Sequence, residues 1–103
     1  MKYGLPDYAI NKLKQIFKED ARISNVWLYG SRAVGNQKLS SDIDLCVEGL
    51  SLELKDLFSL EIKIDYLNLP WKVDLSLKHQ IDNPALLIHI QNVGTDFLAN
   101  EKC

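Results

Sequence analysis

Two stretches of this chain alternate apolar and polar residues without a break. In "DIDLCV", Ile43, Leu45 and Val47 fall on one side, and Asp42, Asp44 and Cys46 on the other. In "KVDLSL", Val73, Leu75 and Leu77 oppose Lys72, Asp74 and Ser76. A period of two is the signature of a strand with one face buried, because successive side chains point to opposite faces. A chain with two such strands needs apolar elements to lie on their buried face, and it must present carboxylates from the other.

The covering elements are helical. Ile10, Leu13, Ile16 and Phe17 recur at helical spacing behind Pro6 and Asp7, which predicts a helix over 6–19. "ISNVWLYG" is rich in β-branched and aromatic residues and predicts a strand over 24–30. Gly49 stops the second strand, and Leu50, Leu54, Leu57, Phe58 and Ile62 then form an apolar stripe in a helix ending near residue 63. Pro70 precedes the third strand, where a missing amide donor does least harm. Asn83-Pro84 is an N-cap and first helical residue, followed by Leu86, Leu87, Ile90 and Val93, with Gly94 at the end. The order α-β-β-α-β-α predicts an α+β fold with helices on one face of the sheet, in a single domain spanning 1–103.

Composition narrows the function. At 47% hydrophobic and 25% charged this is ordinary globular material. A formal net charge of −2 and no basic stripe argue against a long nucleic acid and leave a single nucleotide open. Cys46 and Cys103 lie far apart with no metal-ligand spacing; Cys46 reads as a small buried hydrophobe and Cys103 as a terminal residue. With no disulfide framework and no apolar run near the roughly 18 residues of a membrane span, a reducing cytoplasm is expected.

The carboxylates raise a chemical question. Asp42 and Asp44 project from the same side of one strand, about 7 Å apart at the backbone, and repel unless a cation lies between them. If the third strand neighbours the second, Asp74 joins them. Such hard oxygen ligands suit Mg²⁺ or Mn²⁺, which take one or two carboxylates together with substrate phosphate oxygens. Upstream, "GSR" supplies what a phosphate needs. Gly30 lets backbone approach, turn amides can form an anion nest, Ser31 has a hydroxyl, and Arg32 has a cation. Taken singly, an Asp-x-Asp is a solvated strand face and a Gly-Ser is a turn. The combination, with eleven positions from Ser31 to Asp42 and a third acid on a later strand, matches the parts that phosphoryl-type transfer requires. His79 and His89 have no carboxylate or cysteine at metal spacing and are expected to be structural. Trp27 and Tyr29 are expected to be sheet surface, and Trp71, just before the strand that bears Asp74, is a candidate for the pocket rim.

Gly30-Ser31, the loop, Asp42-x-Asp44 and Asp74, set within "YGSRA", "SDIDL", "LPWKVDLSL" and "HIQNVGTDF", resemble the minimal nucleotidyltransferases of the DNA polymerase β superfamily over nearly the whole chain. The resemblance implies a palm-like fold with a small mixed sheet. It implies that Asp42 and Asp44 bind both metals, while Asp74 binds the catalytic metal and helps to activate the incoming hydroxyl. It further implies the antitoxin of a type VII toxin–antitoxin pair, which transfers AMP from ATP to a tyrosine of a helical HEPN (higher eukaryotes and prokaryotes nucleotide-binding) toxin in a hetero-oligomer. The alternative is a non-catalytic binding module that neutralises a helical partner by covering it. The small size of the chain favours a partner in both cases, and the intact set of acids favours the enzyme.

Overall fold

The computed structural model describes residues 2–99, so Cys103 lies outside the described residues. The chain runs α1 (Asp7–Lys18), β1 (Asn25–Tyr29), α2 (Ser31–Val34), β2 (Ile43–Glu48), α3 (Leu54–Asp65), β3 (Val73–Leu77), a 3₁₀ turn (Lys78–Gln80), α4 (Pro84–Val93) and β4 (Thr95–Asp96). The strands form one sheet in the order β3-β2-β1-β4. β1 is antiparallel to β2 and β4, while β2 and β3 are parallel, so the sheet is mixed as expected. A parallel pair needs a crossover, and α3 is that crossover.

Alternation places Val26 and Leu28 of β1 and Ile43, Leu45 and Val47 of β2 on the buried face, all with no exposed surface. Against them pack Ile10, Leu13 and Phe17 of α1 and Leu57, Leu60 and Ile64 of α3. Burial of apolar side chains at about 25 cal/mol per Å² makes this layer the main source of stability.

Two expectations change. First, α3 turns a different row to the sheet. Leu57, Leu60 and Ile64 are buried, whereas Leu54, Phe58 and Ile62 stay about half exposed and Leu50, ahead of the helix, is 89% exposed. The reason is geometric: a spacing of four drifts about 40° per step around a helix, so the 54-58-62 row winds off the face that the 57-60-64 row keeps. Second, α4 does not join α1 and α3 on the core face. Its His89 ring meets Tyr29 edge-on, with centroids 6.1 Å apart, and Leu87 and Ile90 share a shallow cavity with Trp27. Trp27 and Tyr29 alternate with the core residues of β1, so α4 leans on the opposite face, where Ile90 is its buried residue.

The loop from Gly35 to Asp42 is held from inside by Arg32, which is only 2% exposed. Its Nη1 donates to the Tyr3 carbonyl at 2.8 Å, its Nε and Nη2 to the Ser41 carbonyl at 3.1 and 2.8 Å, and its Nη2 also to the Leu39 carbonyl at 3.4 Å. Trp71 Nε1 reaches the same Leu39 carbonyl at 3.1 Å. Arg32 was expected at the phosphates; its guanidinium instead lies on these backbone carbonyls. Burial lowers its pKa and the nearby Asp42 charge opposes that shift. Hydrogen bonds to a buried charge are worth about 1.5–3 kcal/mol each and are not additive. Arg32→Met should therefore cost about 2–4 kcal/mol in urea unfolding, on the order of 10–20 °C in Tm for a domain of this size. A variant as stable as wild type would return Arg32 to the phosphates.

Candidate active site

β1 delivers its last residue, Tyr29, into a turn that only glycine can make. Gly30 has φ 76° and ψ −157°, a region closed to side chains. A Cβ there would also collide with Oδ2 of Asp44, so the missing side chain is what lets turn and carboxylate meet. The Gly30 carbonyl accepts from the Ala33 and Val34 amides at 3.1 and 3.2 Å, opening the single turn of α2. Ser31, partly buried, begins that turn, whose first amides have no intrahelical acceptors.

The acids are placed by register. Tyr29 pairs with Asp44 across the antiparallel β1–β2 ladder, and Asp44 pairs with Asp74 across the parallel β2–β3 ladder. Paired residues on adjacent strands point the same way, so Asp44 and Asp74 stand side by side about 5 Å apart at the backbone. Asp42 lies just ahead of β2 and is exposed. Asp74 is about half exposed and makes one long contact, 3.8 Å, to the largely exposed Lys72, a pair of little energetic weight.

Charge repulsion is visible at the centre. Burial, then the charges of Asp74 and Asp42, push the Asp44 carboxyl above its ordinary pKa, and Lys72 only partly offsets this. Among the described residues, no three His, Cys, Asp or Glu side chains close a metal site by themselves. The arrangement is instead an adjacent carboxylate pair with a third, exposed acid nearby. That fits Mg²⁺ or Mn²⁺, whose remaining ligands are water and substrate phosphate oxygens. The excess negative charge around Asp44 is what a cation would neutralise.

Of the residues singled out from the sequence, the fold brings Gly30, Ser31, Asp44 and Asp74 together, leaves Asp42 exposed but near enough for its charge to act on Asp44, and ties Arg32 to backbone carbonyls. Trp71 fastens the loop. Trp27 donates from Nε1 to Oε1 of Glu48 at 2.9 Å, at the far end of the sheet face, and His79 stays exposed in the 3₁₀ turn. His89, expected to be structural, also reaches the Gly30 turn. Its Nε2 accepts the Gly30 amide at 3.1 Å from 59 positions away. No local pattern announces such a contact.

The sequence model of the family described as "Polymerase beta, Nucleotidyltransferase" matches residues 11–102. "Putative protein adenylyltransferase MJ0128" of Methanocaldococcus jannaschii is 38% identical over 80 residues, which span 75% of this chain and 79% of that one. A second protein of that organism with the same activity in its name, MJ1217, is 37% identical over 76 residues, spanning 73% and 76% of the two chains. Among solved structures, a chain of a toxin–antitoxin crystal structure with AMP-PNP superposes with a TM-score of 0.71 at 22% identity, covering 89% of this chain and 74% of that one. A chain of the tri-AMPylated Shewanella oneidensis HEPN toxin in complex with MNT antitoxin superposes at 0.65 and 19% identity, covering 87% and 69%. At such identities these structures share the fold.

The raised pKa of Asp44 has a thermodynamic consequence. A carboxyl whose folded pKa exceeds its unfolded value favours the fold when protonated and opposes it once the pH rises through the folded pKa. Asp44→Asn removes that opposition. In chelator at pH 7 it should raise Tm by a few degrees, corresponding to less than about 1 kcal/mol after solvent screening of a partly exposed group. The gain should vanish below the ordinary carboxylate pKa. A variant no more stable than wild type at pH 7 would show that Asp44 is not under electrostatic stress.

Proposed function

The chain belongs to the polymerase beta nucleotidyltransferase family, and on that premise we propose that it is a single-domain protein adenylyltransferase, transferring AMP from ATP to a tyrosine hydroxyl of a helical HEPN toxin with which it forms a hetero-oligomer. The observation that carries this reading is the in-register pair Asp44 and Asp74 with the Gly30 turn closed against Asp44. A pure binding module has no use for that much unrelieved charge.

The residues divide the work. Asp42, Asp44 and Asp74 would hold a divalent cation, Mg²⁺ or Mn²⁺, which when bound supplies neutralisation of the triphosphate charge. Ser31 and the turn behind it bind phosphate oxygens, and the bound geometry presents the α-phosphorus to the acceptor. Asp74, on the outermost strand and half open to solvent, accepts the proton of the incoming hydroxyl. The acceptor oxygen forms a bond to the α-phosphorus, the bond to the bridging oxygen breaks, and pyrophosphate leaves with that electron pair.

The partner assignment draws on three supports: relatives with protein adenylyltransferase in their names, folds shared with toxin–antitoxin chains, and the exposed row Leu54, Phe58 and Ile62 on α3. Exposed apolar rows on a small domain mark interaction surfaces. The net charge of −2 leaves nothing to attract a long nucleic acid. Among the described residues no helix is long and apolar enough to cross a membrane, and Cys46 is a free buried thiol, which supports a cytoplasmic location. The alternative, neutralisation by complex formation alone, uses the same apolar row without the acids.

Intact-mass spectrometry separates the two. The partner should gain one or more AMP units with wild type, ATP and Mg²⁺, and none with Asp42→Asn; equal neutralisation by both without a mass change leaves only the binding module. Asp74→Asn should lower kcat at least 100-fold. Its ATP affinity should stay within a few-fold of wild type, and equal loss of binding and rate would make Asp74 an ordinary ligand.

A further inference from the structure

The glycine at the centre of the site is held only in part by its own turn: its carbonyl accepts from the Ala33 and Val34 amides, and Arg32 anchors the body of the turn. Glycine is the most flexible residue, and Gly30 sits in a region of φ and ψ that only glycine enters freely. The turn that follows is four residues long and has no side-chain cap, so it cannot hold itself by helix cooperativity. None of these bonds involves the Gly30 amide, whose partner comes from outside the turn.

We infer that His89 is a positioning residue for the transfer proposed above, acting from α4 to hold the Gly30 amide and through it the phosphate-binding turn. Nε2 of His89 accepts that amide at 3.1 Å, and the same ring stands edge-on against Tyr29, centroids 6.1 Å apart and planes at 81°. Tyr29 is in turn the cross-strand partner of Asp44. One imidazole therefore touches both residues that bracket the centre of the site. The element carrying it is anchored at both ends. Asn83 caps its start by accepting from the Ala85 and Leu86 amides at 3.0 and 3.4 Å. Beyond its end, β4 pairs with Trp27 and Leu28, and Phe97 is buried with its ring against Phe17. A group on such an element is precise in a way that a loop residue is not. An imidazole nitrogen that accepts carries no proton, so the bond requires the neutral ring with its proton on Nδ1.

Two variants isolate the acceptor. Phenylalanine keeps an aromatic edge on Tyr29 and removes the acceptor, whereas the Oε1 of glutamine reaches the place of Nε2. In the chain without ligand, His89→Phe should speed hydrogen exchange of the Gly30 amide at least 10-fold while the Leu28 amide stays protected, and His89→Gln should keep both. Displacement of a reacting group by about 1 Å costs on the order of 100-fold, so kcat/KM for ATP with Mg²⁺ should fall about 10- to 100-fold in His89→Phe and stay within about 3-fold in His89→Gln. ¹⁵N spectra of the wild-type ring should show the Nδ1–H tautomer, a readout that stands even if His89→Phe does not fold. Unchanged Gly30 exchange and kcat/KM in His89→Phe, equal losses in both variants, or an Nε2–H ring in wild type would each overturn the inference. The exchange and tautomer measurements need no activity; a wild type that transfers no AMP overturns the proposed function and leaves this contact to be judged on its own.

Discussion

The parallel register of β2 and β3 is the constraint on which the rest depends. Pairing Asp44 with Asp74 puts two like charges side by side on one sheet face, which no isolated strand would choose. Only the burial of Ile43, Leu45 and Val47 on the opposite face holds them there. Slipping either strand by one residue would turn its apolar set to solvent, so the register is strongly specified. The same parallel pairing demands a crossover, and α3, with Leu57, Leu60 and Ile64 against the sheet, closes the core that enforces it. The electrostatic stress at the site is thus sustained by hydrophobic burial on the far side of a single sheet.

The cationic groups show how function and stability are kept apart. Arg32, the residue nearest the Gly-Ser turn with a permanent positive charge, is spent on the Tyr3, Leu39 and Ser41 carbonyls. Lys72 is exposed and barely in contact with Asp74. Among the described residues, Asp44 and Asp74 have no close ion pair beyond that long Lys72 contact, and the field of the site stays open to a metal–nucleotide complex. A buried Arg–Asp pair in the same place would stabilise the fold and compete with substrate charge.

How much was legible in advance follows from the range of the interactions. The strands β2 and β3 were visible because period-two alternation is a local signal with no helical equivalent. Gly30, Ser31, Asp42, Asp44 and Asp74 could be singled out by residue type and spacing. The row that α3 buries was misassigned because the helix carries two apolar rows and its own sequence does not say which faces the sheet. The side taken by α4 was missed for a related reason: a helix with Ile90 as its one buried residue has a weak preference, settled by Trp27 and Tyr29 on β1. β4 is two residues long and has no periodicity to detect.

By itself, then, the sequence determined the longer helices and strands, the α+β class, the acids and the glycine turn, since each rests on backbone preference or on neighbours a few positions away. Tertiary structure alone decided that Asp44 and Asp74 are register partners, that Arg32 is a buried clamp, and that His89 holds Gly30. These depend on pairs such as His89 and Gly30, separated by 59 positions, whose meeting is set by how the elements pack. A donor and an acceptor that far apart leave no trace in local pattern, because nothing in either segment requires the other until the sheet has formed.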